Sequence, residues 1–517
     1  MAISSIFNDV IGPVMRGPSS SHSAAACRIG RLLRDLMHED IKSLVIDYDP
    51  NGSLVTTHES QGTDMGLYGG LLGWEAYDER MPRYREEIEK AGIGITVNYL
   101  SYDASHPNTY RISISNAQIT HSFTAISTGG GMIEVQEIDG SEVSICGDYH
   151  ELLVYGNDLE IIKALLPEYD HFESIEVHPS MIEIKSSKPF AQDSIVAIEA
   201  IPGVSNVCYL KPVLPILSRK DLKVPFSYCR EMLELGKSEG LELWQLALKY
   251  ESNRGAISEE EVFEKMRDIV RIMSMSVRDG LKGTDYEDRI LPCQSRGFKE
   301  KMEQKDLMDG GMLNTIILYV TTIMEMKSSM GVIVAAPTAG SCGALPGAIL
   351  GAAAYLNNHE DDVVKAMLAA GMIGVFIAEH STFAAEVGGC QAETGAGGSM
   401  AAAGLVTLVG GMLEEAVAAA SMALQNSLGI ICDPIGLRVE APCLGKNVMA
   451  ASNALSCANM SMAGYDHLIP FDEVVDAMWE VGNAMPHEHR CTGLGGLAAT
   501  PTARALEERL KEKAKYC

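Results

Sequence analysis

Positive charge is scarce in this sequence: 41 Lys and Arg face 69 Asp and Glu over 517 residues, a formal net charge of -28. That deficit excludes the basic face that a nucleic-acid surface requires. Aromatics are also few, at 6% with three Trp. No close C-x-x-C pair occurs among the 12 cysteines, so the spacing matches neither a zinc ribbon nor a ferredoxin-type run. The start "MAISSIFNDVIGP" lacks a basic stretch followed by an apolar one, which predicts no signal peptide and a cytoplasmic protein. In such a reducing compartment the cysteines are read as metal or redox candidates rather than as a disulfide framework. No repeat of solenoid period and no low-complexity tail is present. The run from Gly395 to Leu413 is apolar, but it is built of Ala, Gly and Met and is broken by Glu414 and Glu415. It predicts a closely packed buried helix, not a membrane span.

What is present is an ordinary globular composition, 46% apolar and 21% charged, on a chain too long for one core. The N-terminal stretch alternates strand-like segments such as "IKSLVIDY" and "TYRISISN" with the helical "AACRIGRLLRDLMHE", which reads as an α+β domain over 1–146. A short strand–helix–strand unit follows over 147–213, then a linker over 214–235. From 236 to 517 the pattern is that of an all-α domain rich in Ala, Met and Leu, broken by Gly-rich turns.

Three segments carry polar chemistry. In "RGPSSSHSAAACRIGRLL", Ser19, Ser20 and Ser21 stand at a helix N-terminus, where hydroxyls and free N–H groups suit a carboxylate, with His22 one step on as a proton acceptor. A helix cap with a surface histidine explains the same residues. His106, Pro107 and Asn108 mark a turn that either orients a polar substrate or is simple turn chemistry. Thr338, Ala339, Gly340 and Ser341 break an apolar stretch at "APTAGSCGALPG" and offer a second anion-binding loop, or a plain connection between helices. Cys390, Cys432 and Cys443 each lie next to Gly or Pro. Three turn-borne thiols suit a metal cluster held by three protein ligands, leaving one iron to act as a Lewis acid; buried structural thiols are the other reading.

Taken together, "GPSSSHS", "QGTDMGLYGGLLG", "HPNTYR", "GGGMIEV", "AAPTAGSCGALPG", "GCQAETG", "CDPIG", "APC" and "GLGGLA" resemble, in this order and over nearly the whole chain, the iron–sulfur-dependent L-serine dehydratases, or L-serine ammonia-lyases. The resemblance implies a β-type domain, a shortened ACT-like module over 147–213 and an α-type domain in one chain. It implies a [4Fe-4S] cluster on Cys390, Cys432 and Cys443, with the C-terminal Cys517 at the fourth iron until substrate displaces it, and no pyridoxal phosphate. It assigns catalytic roles to His22, His106 and Ser341. Substrate contacts fall to Ser19, Ser20, Ser21, Gln61, Thr63, Asn108, Thr338, Ala339 and Gly340. The implied reaction converts L-serine to pyruvate and ammonia in a homodimer or higher homo-oligomer whose partner is a small amino acid, not a membrane or nucleic acid. Two departures bear on substrate choice. Family members usually read Gly-His-Gly-Thr-Asp where this chain has Gln61 in "SQGTD", and His58 three residues earlier is the nearest substitute. Lys327 stands where Asn is common, which hints at a more acidic substrate. Rival readings are the same cluster chemistry on cysteine, threonine or a hydroxylated dicarboxylic amino acid, a non-catalytic iron–sulfur sensor, and a pyridoxal enzyme.

Overall fold

The computed structural model describes residues 3–166, 172–219 and 222–514. These form two compact units, one of Ser21–Leu222 and one that joins Met1–Ser20 to Lys223–Cys517.

The Ser21–Leu222 unit is α+β. Six strands form a sheet in the spatial order Gly94–Tyr99, Ser43–Tyr48, Thr109–Ser115, Thr120–Gly129, Met132–Ile138, Ser141–Ile145, with only the first pair parallel. Ser43–Tyr48 alternates half-buried and buried positions, as a strand with one face on a core does. The helix Ala25–Leu36 covers that face with Ile29, Leu32, Leu33 and Leu36, the spacing visible in the sequence. Helix Thr63–Leu71 lies against it, and the glycines of "QGTDMGLYGGLLG" explain how closely. A Cβ on Gly66 would lie 1.9 Å from the Ser23 carbonyl oxygen, and one on Gly70 would lie 2.2 Å from that of Cys27. Only glycine permits that backbone approach.

The rest of this unit runs strand His150–Gly156, helix Leu159–Leu165, strands Phe172–Val177 and Ile182–Ser186, helix Gln192–Glu199, strand Val204–Leu210. The sheet order is fourth, first, third, second, all antiparallel, a βαββαβ arrangement with its own core of Leu152, Val154, Ile182, Ile184, Ile195, Ile198 and Val207. All six elements are present, where the sequence suggested a shortened unit. Leu153, Met181, Cys208 and Leu210 join the larger core of the six-stranded domain.

The other unit is helical. Helices Met312–Ser328, Ala344–Leu356, Glu360–His380, Ala396–Leu408, Leu413–Gln425 and Cys443–Met462 pack around one another through Ala, Gly and Met. The apolar run from Gly395 to Leu413 holds the 13-residue helix Ala396–Leu408, too short to cross a bilayer, and ends where helix Leu413–Gln425 begins. Two segments, Ala339–Leu356 and Glu360–His380, are long and apolar enough to do so, and both are mostly buried in this unit as core helices are.

Two features differ from the sequence expectation. Residues 3–20 belong with the helical unit: Val14–Met15 pairs antiparallel with Ile333–Val334, and the buried Glu251 carboxylate accepts from the Ser5 hydroxyl and, at 2.8 Å, from the Ile6 N–H. Part of the expected linker is helix Cys229–Glu239, whose first turn is closed by Glu231 accepting from the Ser227 and Tyr228 amides and whose end is Gly240 at φ 67°.

Candidate active site

In the helical unit the three cysteines arrive on different elements. Cys390 follows Gly389, which turns the chain at φ 72°, and precedes the helical turn Gln391–Gly395. Cys432 is held extended, its N–H donating to the His489 carbonyl at 2.9 Å. Cys443 opens the helix Cys443–Met462 behind Pro442. All three are buried, and the sulfurs of Cys390 and Cys432 lie with a Glu393 carboxylate oxygen within 4.8 Å of one another. Cys432 has its thiol pushed far up by hydrogen bonds with Cys390 and Cys491 and by burial. Cys443 is raised by burial and by the neighbouring Cys390, while Lys327 and Lys446 pull the other way. The Lys446 ammonium sits 3.7 Å from the Cys390 sulfur, 2.6 Å from Asp433 and 2.7 Å from the Ile431 carbonyl. Burial opposes its charge, but Cys390 and Asp433 outweigh burial. Soft donors gathered beside a fixed ammonium fit a thiolate-bound metal such as iron. Cys517, the expected fourth ligand, lies outside the described residues.

Beside the thiols runs the loop Thr338–Ser341. The Thr338 hydroxyl accepts from the Ser341 N–H at 3.2 Å and donates to Glu393 at 2.8 Å, and the Ala339 N–H donates to Ser20 at 3.3 Å. A Cβ on Gly340 would lie 3.0 Å from the Glu393 carboxylate, so the glycine lets the acid reach the loop. Burial, reinforced by Glu386, pushes the Glu393 carboxyl up to about 7. Buried Asn447 ties this loop to the cysteine-bearing helix. Its Oδ1 accepts from the Gly343 and Ala344 N–H groups at 3.2 and 2.9 Å, and its Nδ2 donates to the Gly340 and Cys443 carbonyls at 2.8 and 2.9 Å. Lys327, fully buried, donates to the Val439 carbonyl.

Sequence reasoning missed Glu393, Asn447, Lys446 and Cys491. The first stands inside the quoted "GCQAETG", and its neighbour Cys390 is the signal that could have pointed to it.

In the α+β unit, Ser21 and His22 lie in the turn Ser20–Ala24 ahead of the helix Ala25–Leu36. His22 is buried, and burial lowers its pKa to about 4. Its Nε2 is 3.0 Å from the Thr57 hydroxyl, which itself donates to the Ser53 carbonyl at 2.7 Å. Nε2 is therefore the donor, and the basic lone pair sits on Nδ1. The Ser53 hydroxyl donates to Asn108, so Asn108, Ser53, Thr57 and His22 form one connected chain. His106 accepts the Asn108 N–H at 3.1 Å, and burial lowers its pKa. Gln61 and Thr63 are buried, and the Gln61 carbonyl accepts from Ser23 at 3.2 Å. His58 is held between Asp64 and the Tyr99 hydroxyl, each at 2.9 Å.

A helical unit with buried thiols gathered against a hydroxyl-bearing loop defines a candidate metal-dependent enzyme of small polar molecules. Residues 238–498 match the family described as "Serine dehydratase alpha chain". The L-serine dehydratase alpha chain of Peptoniphilus asaccharolyticus is 36% identical over 278 residues, which cover 54% of this chain and 95% of the relative. The L-serine dehydratase 1 of Escherichia coli is 28% identical over 496 residues, 93% of this chain and 96% of the relative. The probable L-serine dehydratase beta chain of Bacillus subtilis is 40% identical over 158 residues, 31% of this chain and 70% of the relative. The chain belongs to the serine dehydratase alpha chain family.

Proposed function

We propose that this chain is an L-serine ammonia-lyase that carries a [4Fe-4S] cluster on Cys390, Cys432 and Cys443, with Cys517 as the expected fourth thiol. The observation that carries the reading is the gathering of Cys390, Cys432 and Glu393 within 4.8 Å, next to the Thr338–Ser341 loop. When bound, the cluster supplies a Lewis-acidic iron for the departing β-hydroxyl. The chain's own groups do the rest. The backbone amides and hydroxyls of Thr338, Ala339, Gly340 and Ser341, with Ser19 and Ser20, hold the substrate carboxylate. Glu393, balanced near neutrality, exchanges a proton at its carboxylate. His22, neutral above about pH 4, serves as a proton acceptor. Ser21, Gln61, Thr63, His106 and Asn108 complete the proposed substrate contacts. Loss of the α-proton and the β-hydroxyl gives aminoacrylate, which tautomerises to the imine and hydrolyses to pyruvate and ammonia. No step asks for pyridoxal phosphate.

The same reading makes the six-stranded region up to 146 a β-type domain, 147–213 an ACT-like module, and the helical unit, which includes residues 3–20 and helix Cys229–Glu239, an α-type domain. The complete βαββαβ order supports the ACT-like assignment. It also makes the protein a cytoplasmic homo-oligomer. The test is product formation by anaerobically purified protein given L-serine, L-threonine or L-cysteine in turn. Turnover fastest on L-serine supports the reading. Turnover confined to another amino acid moves the substrate, and none on any of the three rejects the lyase.

A further inference from the structure

Cys491 is a thiol that the proposed function does not use, yet it packs with Ala385, Cys390, Cys432 and Ile430. Two backbone bonds fix its segment to Cys432. The Cys432 N–H donates to the His489 carbonyl at 2.9 Å, and the Cys491 N–H donates to the Cys432 carbonyl at 3.2 Å. Between them Cys432 and Arg490 pair as a parallel bridge. Cys491 sits at φ 60°, a left-handed conformation that few non-glycine residues adopt. The position is nevertheless a cysteine, and its side chain packs in one apolar group with that of Cys432. No other cysteine outside the proposed ligand set packs in this group among the described residues.

We propose that Cys432 and Cys491 are a redox pair that closes when the metal is lost. Dioxygen is the oxidant. The two thiols give up two electrons and two protons, the S–S bond forms, and O2 becomes hydrogen peroxide. A dithiol reductant reverses the step and returns Cys432 to the metal site. The consequence is protection: a lone thiol at Cys432, once oxidised, would climb to sulfinic and sulfonic acids, which reductants do not reverse. Cys390 is the competing partner, since its sulfur lies within 4.8 Å of that of Cys432. Its sulfur, however, faces the Lys446 ammonium at 3.7 Å, whereas the Cys491 N–H bonds directly to the Cys432 carbonyl.

The pair rests on the proposed function only in that bound metal shields Cys432. Full-length protein purified without oxygen is divided in two, one half stripped of iron by a chelator, and both are exposed briefly to air, alkylated without reductant and mapped by mass spectrometry. The expected result is a Cys432–Cys491 cross-linked peptide in the stripped sample, with Cys390 and Cys443 alkylated, and far less cross-link in the untreated half. Cys491→Ser should leave Cys432 over-oxidised or linked to Cys390, and should lower cluster rebuilding with dithiothreitol, iron and sulfide at least severalfold, read by absorbance. Alkylated Cys491 in stripped, air-exposed wild type, or a Cys390–Cys432 bridge in its place, overturns the pair. Absence of iron and sulfide from the anaerobic protein overturns the cluster reading instead, and the peptide map still decides the pair.

Discussion

Replacing Asn447 by Leu tests how the Thr338–Ser341 loop is coupled to the thiols. The side chains are similar in size, and Asn447 is fully buried, so the change removes hydrogen bonds with little change in volume. Four bonds go: two into the Gly343 and Ala344 amides at the start of helix Ala344–Leu356, and two out to the Gly340 and Cys443 carbonyls. At about 1 kcal/mol each the local loss is about 4 kcal/mol. With about 1.4 kcal/mol per factor of ten, local opening around the loop becomes about a thousandfold more frequent. Hydrogen exchange read by mass spectrometry over 338–347 should show that acceleration, with no comparable change in the strands of the Ser21–Leu222 unit. Loss of loop position should lower kcat/KM on L-serine about a hundredfold. Asn447→Asp separates the two halves of the contact, because it keeps an acceptor for the helix amides but places a carboxylate against two carbonyls. Exchange in Asn447→Leu within threefold of wild type would refute this reasoning.

Three further outcomes follow from the geometry. Thr338→Val removes the donor to Glu393 and the acceptor for the Ser341 amide, and should raise KM for L-serine about tenfold while Thr338→Ser stays near wild type in steady-state kinetics. His22 charges near pH 6.5 when unfolded but only near 4 when folded, so acid favours the unfolded chain and stability is lost as pH falls across that window, about 2 kcal/mol by pH 5. Thermal scans between pH 7.5 and 5 should show this slope, and His22→Gln should flatten it. Cys390→Ala, Cys432→Ala and Cys443→Ala should each lose most bound iron by elemental analysis, while Cys457→Ala, whose sulfur accepts from Asn426 instead, should retain it.

The sequence made some parts of this molecule legible and left others hidden, for physical reasons. Strand alternation at Ser43–Tyr48 and the apolar spacing from Ile29 to Leu36 mark an α+β region because both patterns are local. The Ala- and Gly-rich C-terminal stretch likewise announces close-packed helices. By contrast, the attachment of residues 3–20 to the helical unit depends on a buried carboxylate, Glu251, that lies far along the chain. Helix Cys229–Glu239 was hidden by its weak apolar pattern, although the Glu231 cap and Gly240 stop were there to be read. In the candidate site, Cys390, Cys432 and Cys443 stand out because turns flank them. Glu393, Asn447 and Cys491 do not, since a single residue acquires such a role only from what folding brings against it.

The account stands or falls on whether the thiols hold iron that serine needs. The direct measurement is pyruvate release from L-serine by anaerobically purified protein without added pyridoxal phosphate, with iron and sulfide determined on the same sample before and after air. The account predicts about four irons and four sulfides per chain and turnover that disappears together with them. Full turnover after the iron is gone, or a complete cluster with no product from L-serine, would contradict it.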